Sequence, residues 1–176
     1  IELGKALGKD AVCLMPGRER VPDVPQEAWD HCTVTAEYRD VPTGIKVILG
    51  TTHKLPGVAK YLMERLGPGA NGTSLFDVLF VDEAWQLPLH RYRRVEGLAP
   101  VIVGVGDVGQ LPPIDPAQNP WRGDERYNPY RAWPTAYPPD DTTWIAELPT
   151  VWRPTAGQLG LWRAFYDEWD SLNCVA

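Results

Sequence analysis

Two apolar runs, each closed by an acid, constrain this chain more than any other feature. Phe76–Val81 reads FDVLFV and meets Asp82-Glu83, and Pro100–Gly106 reads PVIVGVG and meets Asp107. Runs that are apolar at nearly every position suit strands covered on both faces, the pattern of a parallel sheet in an α/β layer fold. Between them, Leu87–Leu98 has the length of a crossover helix. Polar residues just past the C-terminal ends of such strands fall where open α/β sheets place their ligands.

The rest of the chain is read around that pair. Leu3–Met15 suggests the tail of a helix stopping near Gly8 and then a strand over Ala11–Met15. The polar, proline-rich stretch from Arg18 to Thr43 has no assignable pattern. Ile45–Leu49 (IKVIL) reads as a strand ended by Gly50-Thr51-Thr52-His53. Pro56–Leu66 reads as a helix, with Val58, Tyr61, Leu62, Arg65 and Leu66 in one stripe and Pro56 suited to a first turn. Of 18 prolines, ten lie between Pro112 and Pro154. Six of these share residues 115–146 with Trp121, Tyr127, Tyr130, Trp133, Tyr137 and Trp144, so this stretch is expected to be an ordered insertion rather than a linker. Thr155 can cap a last helix running to about Trp169.

Composition removes several classes of function. A chain of 176 residues and net charge −6 is not a polycation, so any nucleic-acid contact must come from a local groove. No segment approaches the roughly 20 apolar residues of a membrane span. Cys13, Cys32 and Cys174 are odd in number and contain no CxxC pair, which disfavours a disulfide framework and fits a reducing, cytoplasmic location. The chain opens on Ile1-Glu2-Leu3 and is expected to be a fragment of something longer.

The two strand ends carry groups with defined chemistry. Work on a nucleoside triphosphate needs one carboxylate to hold Mg²⁺ and another group to orient and deprotonate the attacking water. Asp82 and Glu83 can divide those tasks if the strand ends between them, because adjacent strand residues point to opposite faces. Gln86 and Pro88 support such an ending. In VIVGVGDVGQLPPI, Gly109 frees the backbone and Pro112-Pro113 stiffens the exit, so Gln110 is held near the strand tips, where a neutral amide can sense a terminal phosphate. Taken singly, each run also fits a solvated strand end or a proline-stiffened turn.

Together, VDEAWQ (residues 81–86) and GDVGQLPP (106–113) resemble the DEAxQ form of the Walker B motif and the GDxxQLPP motif of superfamily 1 nucleic-acid helicases. The opening segment, Leu3–Met15 and then Arg18–Arg20, is similar to that of the subgroup that includes the nonsense-mediated-decay helicase, with the exonuclease-associated helicases as the near alternative. The resemblance implies a RecA-like P-loop NTPase sheet with flanking helices, incomplete at its N-terminus. Residues 1–147 would be the remainder of a first motor domain and 148–176 the start of a second. It implies ATP and Mg²⁺ as cofactors, DNA or RNA as partner and no membrane. Asp82 is then the metal-holding residue, Glu83 the general base and Gln110 the sensor of the γ-phosphate. Gln86 and Asp107 are placed on the nucleotide side. VILGTTHKL is similar to the threonine-bearing motif that touches the nucleic-acid backbone, which brings in Thr51 and Thr52. LPTVWRPTAGQLGLWRAFYDEW is similar to the start of the second domain. There Arg153 would reach the γ-phosphate, Trp152 (where tyrosine is usual) would stack near the base, and Phe165-Tyr166 completes the pattern.

The 176 residues contain no GxxxxGK[ST], the loop that cradles phosphates; in the family it lies upstream of these motifs. The chain alone is therefore expected to bind ATP poorly and hydrolyse none. The alternative class is a non-hydrolysing, helicase-like interaction or nucleic-acid-binding module. His90-Arg91-Tyr92-Arg93-Arg94 is read as a solvated helix face. Residues 115–147 carry six acids against three arginines, which points the insertion toward self-packing or a protein partner rather than an electrostatic funnel.

Overall fold

The computed structural model describes residues 1–124 and 126–148, and beyond them 150–151, 156–158, 160, 163–164 and 173–174. It is mixed α/β with short parallel sheets. The chain divides into two units, Ile1–Asp82 with His90–Val105, and Glu83–Leu89 with Gly106–Ala176.

In the first unit, helix α1 (Glu2–Leu7) stops at Gly8, whose φ of 94° is open to glycine without strain, and leads into strand β1 (Val12–Met15). The stretch without sequence pattern is cut short by its prolines into a 3₁₀ segment at Arg18–Asp23 and helix α2 (Gln26–His31). Strand β2 (Thr33–Val34) and a 3₁₀ turn at Tyr38–Asp40 follow. Strand β3 (Val47–Gly50) precedes helix α3 (Lys54–Leu66). β1 is central in the order β2-β1-β3 and runs parallel to both neighbours, Cys13 opposite Thr33 and Ile48.

The core forms where α3 covers this region. Cys13, Met15, Val41, Leu62 and Leu75 are buried together, with Ile48, Val58, Leu66 and Phe76 packed around them. Val58, Leu62 and Leu66 are the inner row of the stripe read in the sequence, at four-residue spacing. Tyr61 and Arg65 leave it: Tyr61 is 45% exposed, and Arg65 Nε donates to Val41 O at 2.8 Å. Burial, with a smaller contribution from the Cys32 thiol, pushes Cys13 up to about 11, so it behaves as a small apolar core residue at neutral pH.

The two acid-closed runs form strands β4 (Val78–Val81) and β5 (Val101–Gly104), paired in parallel with Val78 opposite Val101 and Phe80 opposite Val103. The expectation of cover on both faces fails. Val81 is buried, but Phe80 is 70% exposed, Val101 51% and Val78 40%. Alternation places Val78, Phe80, Val101 and Val103 on one side of the pair, and no described residue covers that side enough to bury it. The crossover helix is also corrected. Leu87–Leu98 contains only a one-turn helix, α4 (Leu89–Tyr92), and a 3₁₀ turn at Glu96–Leu98. Pro88 lacks an N–H, and the bonds Arg94 N to Arg91 O and Val95 N to Tyr92 O close three-residue turns before Gly97. Tyr92 and Val95 are nevertheless buried.

In the second unit, residues 131–133 pair with the chain that follows Glu83. Leu89 N donates to Arg131 O at 2.9 Å, Trp133 N donates to Leu87 O at 3.0 Å, and Pro88 bridges Ala132 antiparallel. Trp133 is buried and meets Tyr137 edge-on, with centroids 5.9 Å apart. Buried Asn119 organises a turn by donating to Asp115 Oδ1 (2.8 Å) and Asn128 Oδ1 (3.0 Å) and accepting from Trp121 N (3.0 Å). Strands β6 (Thr150–Val151) and β7 (Asn173–Cys174) pair in parallel, and a 3₁₀ turn spans Ala156–Gln158. No helix among the described residues is long and apolar enough to cross a membrane.

Candidate functional site

The segments that follow β4 and β5 meet through their side chains. Gln86 Nε2 donates to Glu83 Oε2 at 3.0 Å and to Gln110 Oε1 at 2.8 Å. One amide thus ties together two motifs 24 residues apart in sequence. Asp107 completes the group. Its Oδ1 accepts from Gly109 N at 2.9 Å, its Oδ2 lies 3.5 Å from Gln110 Nε2, and its carbonyl accepts from Gln110 N at 3.3 Å. Asp107 therefore acts first on its own turn, an Asx-type turn that aims Gln110. Glu83, Gln86 and Gln110 are exposed, and Asp107 is half-buried. Such an open set of carboxylates and amides can meet a soluble polar ligand without desolvating a buried charge.

The backbone under this group departs from expectation in an informative way. Among the described residues, Glu83 is the one non-glycine residue with positive φ, at φ 53° and ψ 44°. For a side chain with a Cβ this left-handed conformation costs roughly 1–3 kcal/mol and persists where the surroundings impose it. Here the imposed features are a reversal into the 3₁₀ turn Ala84–Gln86, with Gln86 N bonded to Glu83 O at 2.9 Å, and the burial of Ala84. Gly109, expected to supply the conformational freedom, is not among the residues of positive φ. The indispensable glycine is Gly106. A Cβ there would lie 2.8 Å from Ala84 N and 3.2 Å from Trp85 N, inside van der Waals contact with backbone. Only a residue without a side chain lets the two segments approach this closely. A glycine placed immediately before the strand-end acid was the available signal for that approach. Nothing in a Glu-Ala-Trp string marks a left-handed glutamate.

The remaining expected residues fall elsewhere. Asp82 follows β4 directly and is exposed. In the first unit, exposed Thr51 accepts from Lys54 N through its hydroxyl at 3.1 Å, satisfying an amide of the first turn of α3, and its carbonyl accepts from Leu55 N at 3.1 Å. Thr52, beside it, is half-buried. Trp152, Arg153 and the Phe165-Tyr166 pair lie outside the described residues. Among the described residues, no group of three or more His, Cys, Asp or Glu is placed to hold a metal.

Comparison with protein-family models, with curated proteins and with solved structures finds no match to this chain.

Proposed function

We propose that this chain is part of an ATP-dependent DNA or RNA helicase or translocase, built on a RecA-like sheet and coupling ATP hydrolysis to movement along a strand. The supporting observation is the Gln86 amide bridging Glu83 and Gln110, because it makes one polar cluster of the two motifs that resemble Walker B and its successor. The parallel pairing of β4 with β5 agrees with that placement.

In this reading Glu83 takes the proton from the attacking water, and its carboxylate is held in place by Gln86. Gln110 meets the γ-phosphate, and its bond to Gln86 passes the state of that phosphate to Glu83. Asp107 fixes the turn that presents Gln110. Mg²⁺ bound to a triphosphate keeps most of its water and needs only one or two protein carboxylates. The exposed Asp82 fits that requirement without a closed protein cage, and the ion would neutralise charge on the phosphates. Thr51 and Thr52 would contact the nucleic-acid backbone. Arg153 would stabilise the transferred phosphoryl group, and Trp152 would stack near the base.

The test is phosphate release by the full-length protein with and without single-stranded oligonucleotides. A helicase releases more phosphate when strands are added. Release that ignores added strands removes the helicase reading. Binding of strands without any release favours the non-hydrolysing module.

A further inference from the structure

Outside the nucleotide-side cluster, the first unit carries an aromatic stack that the proposed chemistry does not use. Tyr38, in the turn Tyr38–Asp40, and Tyr61, on α3, lie face to face with centroids 4.8 Å apart and planes 19° from parallel. The guanidinium of Arg39 lies 5.6 Å from the Tyr38 centroid, and Arg39 Nε donates to Tyr38 Oη at 3.2 Å. Tyr38 packs against the core, whereas Tyr61 keeps 45% of its surface open. The stack is thus anchored at one ring and open at the other.

The surroundings are cationic in a chain that is not. Helix α3 carries Lys54, Lys60 and Arg65 against Glu64 alone, a net of +2, while the whole chain is −6. Lys60 lies next to Tyr61 in sequence and reaches Glu64 only at 4.0 Å, with both side chains mostly exposed. Lys54 is seven residues before Tyr61, two turns along the same face, and its ammonium donates to Ala36 O. The carboxylates nearby in sequence are partly engaged: Glu37 Oε1 accepts from Arg18 Nε at 2.6 Å, and Asp40 Oδ2 lies 3.4 Å from the Thr35 hydroxyl. An open ring flanked by cations is the chemistry that holds an unpaired base by its face and the adjoining phosphates by charge.

We propose that Tyr61, backed by Tyr38, is a stacking platform for a base of single-stranded nucleic acid. This deepens the helicase reading by adding a base contact on α3, the helix that begins just after Thr51 and Thr52. A duplex does not serve, because its bases are already stacked on one another. Both ribose and deoxyribose strands present the same ring face.

The test is anisotropy of fluorescent 12-mers, ribo and deoxyribo, each also made with abasic sites, titrated with the wild-type, Tyr61→Ala and Tyr61→Phe chains after melting curves confirm that each variant folds. Tyr61→Ala is expected to weaken binding to the base-bearing strands about tenfold or more, the usual scale for one stacked base. Binding to abasic strands should hardly change, and Tyr61→Phe should stay near wild type. Equal binding by wild-type and Tyr61→Ala chains overturns the platform, as does an equal loss on abasic strands or a wild-type chain that binds no strand. Loss on a duplex alone would transfer the role to duplex binding and also overturn it. The two readings fail separately. Strand binding through Tyr61 without strand-stimulated phosphate release leaves the platform and removes the helicase, and the converse result does the reverse.

Discussion

Glu83→Gln in the full-length protein is expected to lower ATP turnover by about 10²-fold or more while ATP affinity stays within a few-fold, the range over which a positioned general base contributes. The substitution keeps the shape of the side chain. The new amide still presents an oxygen to Gln86 Nε2, now 3.0 Å from Glu83 Oε2, so the bridge to Gln110 can persist. Lost is the capacity to take a proton from water at neutral pH. The left-handed backbone at this position is unchanged by an isosteric replacement, so stability should move little. The check is steady-state phosphate release beside nucleotide binding by calorimetry. Turnover that is unaltered would refute the base, and loss of binding together with turnover would make Glu83 a ligand-holding residue instead.

The second large effect concerns stability. Leu62→Ala should cost about 2–5 kcal/mol, because Leu62 is wholly buried among Cys13, Met15, Val41 and Leu75, and truncation leaves a cavity lined by them. Against a total of about 5–15 kcal/mol for an ordinary domain, that is a large fraction. Phe80→Ser supplies the contrast. Phe80 is a larger apolar side chain in one of the most apolar runs of the sequence, yet it is 70% exposed, so its loss should change stability by no more than about 0.5 kcal/mol. Urea unfolding of both variants measures the two effects. A similar cost for each would mean that the outer side of β4 and β5 is covered in solution.

That contrast shows where sequence reasoning worked and where it stopped. β4 and β5 were legible because an apolar side chain at nearly every position suits extended chain, and their parallel pairing followed from the spacing between them. Their open side was not legible, since a run of valines reads the same whether or not a neighbour covers it. Helix α3 was legible from Val58, Leu62 and Leu66. Leu87–Leu98 has the length of a crossover helix, but three-residue turns closed by Arg94 N and Val95 N, followed by Gly97, end it after one turn. At the site, the residue types of Glu83, Gln86, Asp107 and Gln110 were legible from their order in two strings. Their geometry was not. The bridge depends on a left-handed Glu83, for which glutamate has no preference, and on the bare Cα of Gly106 lying against Ala84. The pairing of residues 131–133 with Leu87 and Leu89 is likewise a tertiary event with no local periodicity to announce it.

The most direct test of the central claim, that Glu83 and Gln110 act as one unit on a single triphosphate, is a double-mutant cycle of Glu83→Gln and Gln110→Ala on single-strand-stimulated phosphate release. Acting through the shared Gln86 amide, the pair should be strongly non-additive, with the double variant little slower than Glu83→Gln alone. Rate losses that simply multiply, or a Gln110→Ala variant as fast as wild type, would contradict the claim.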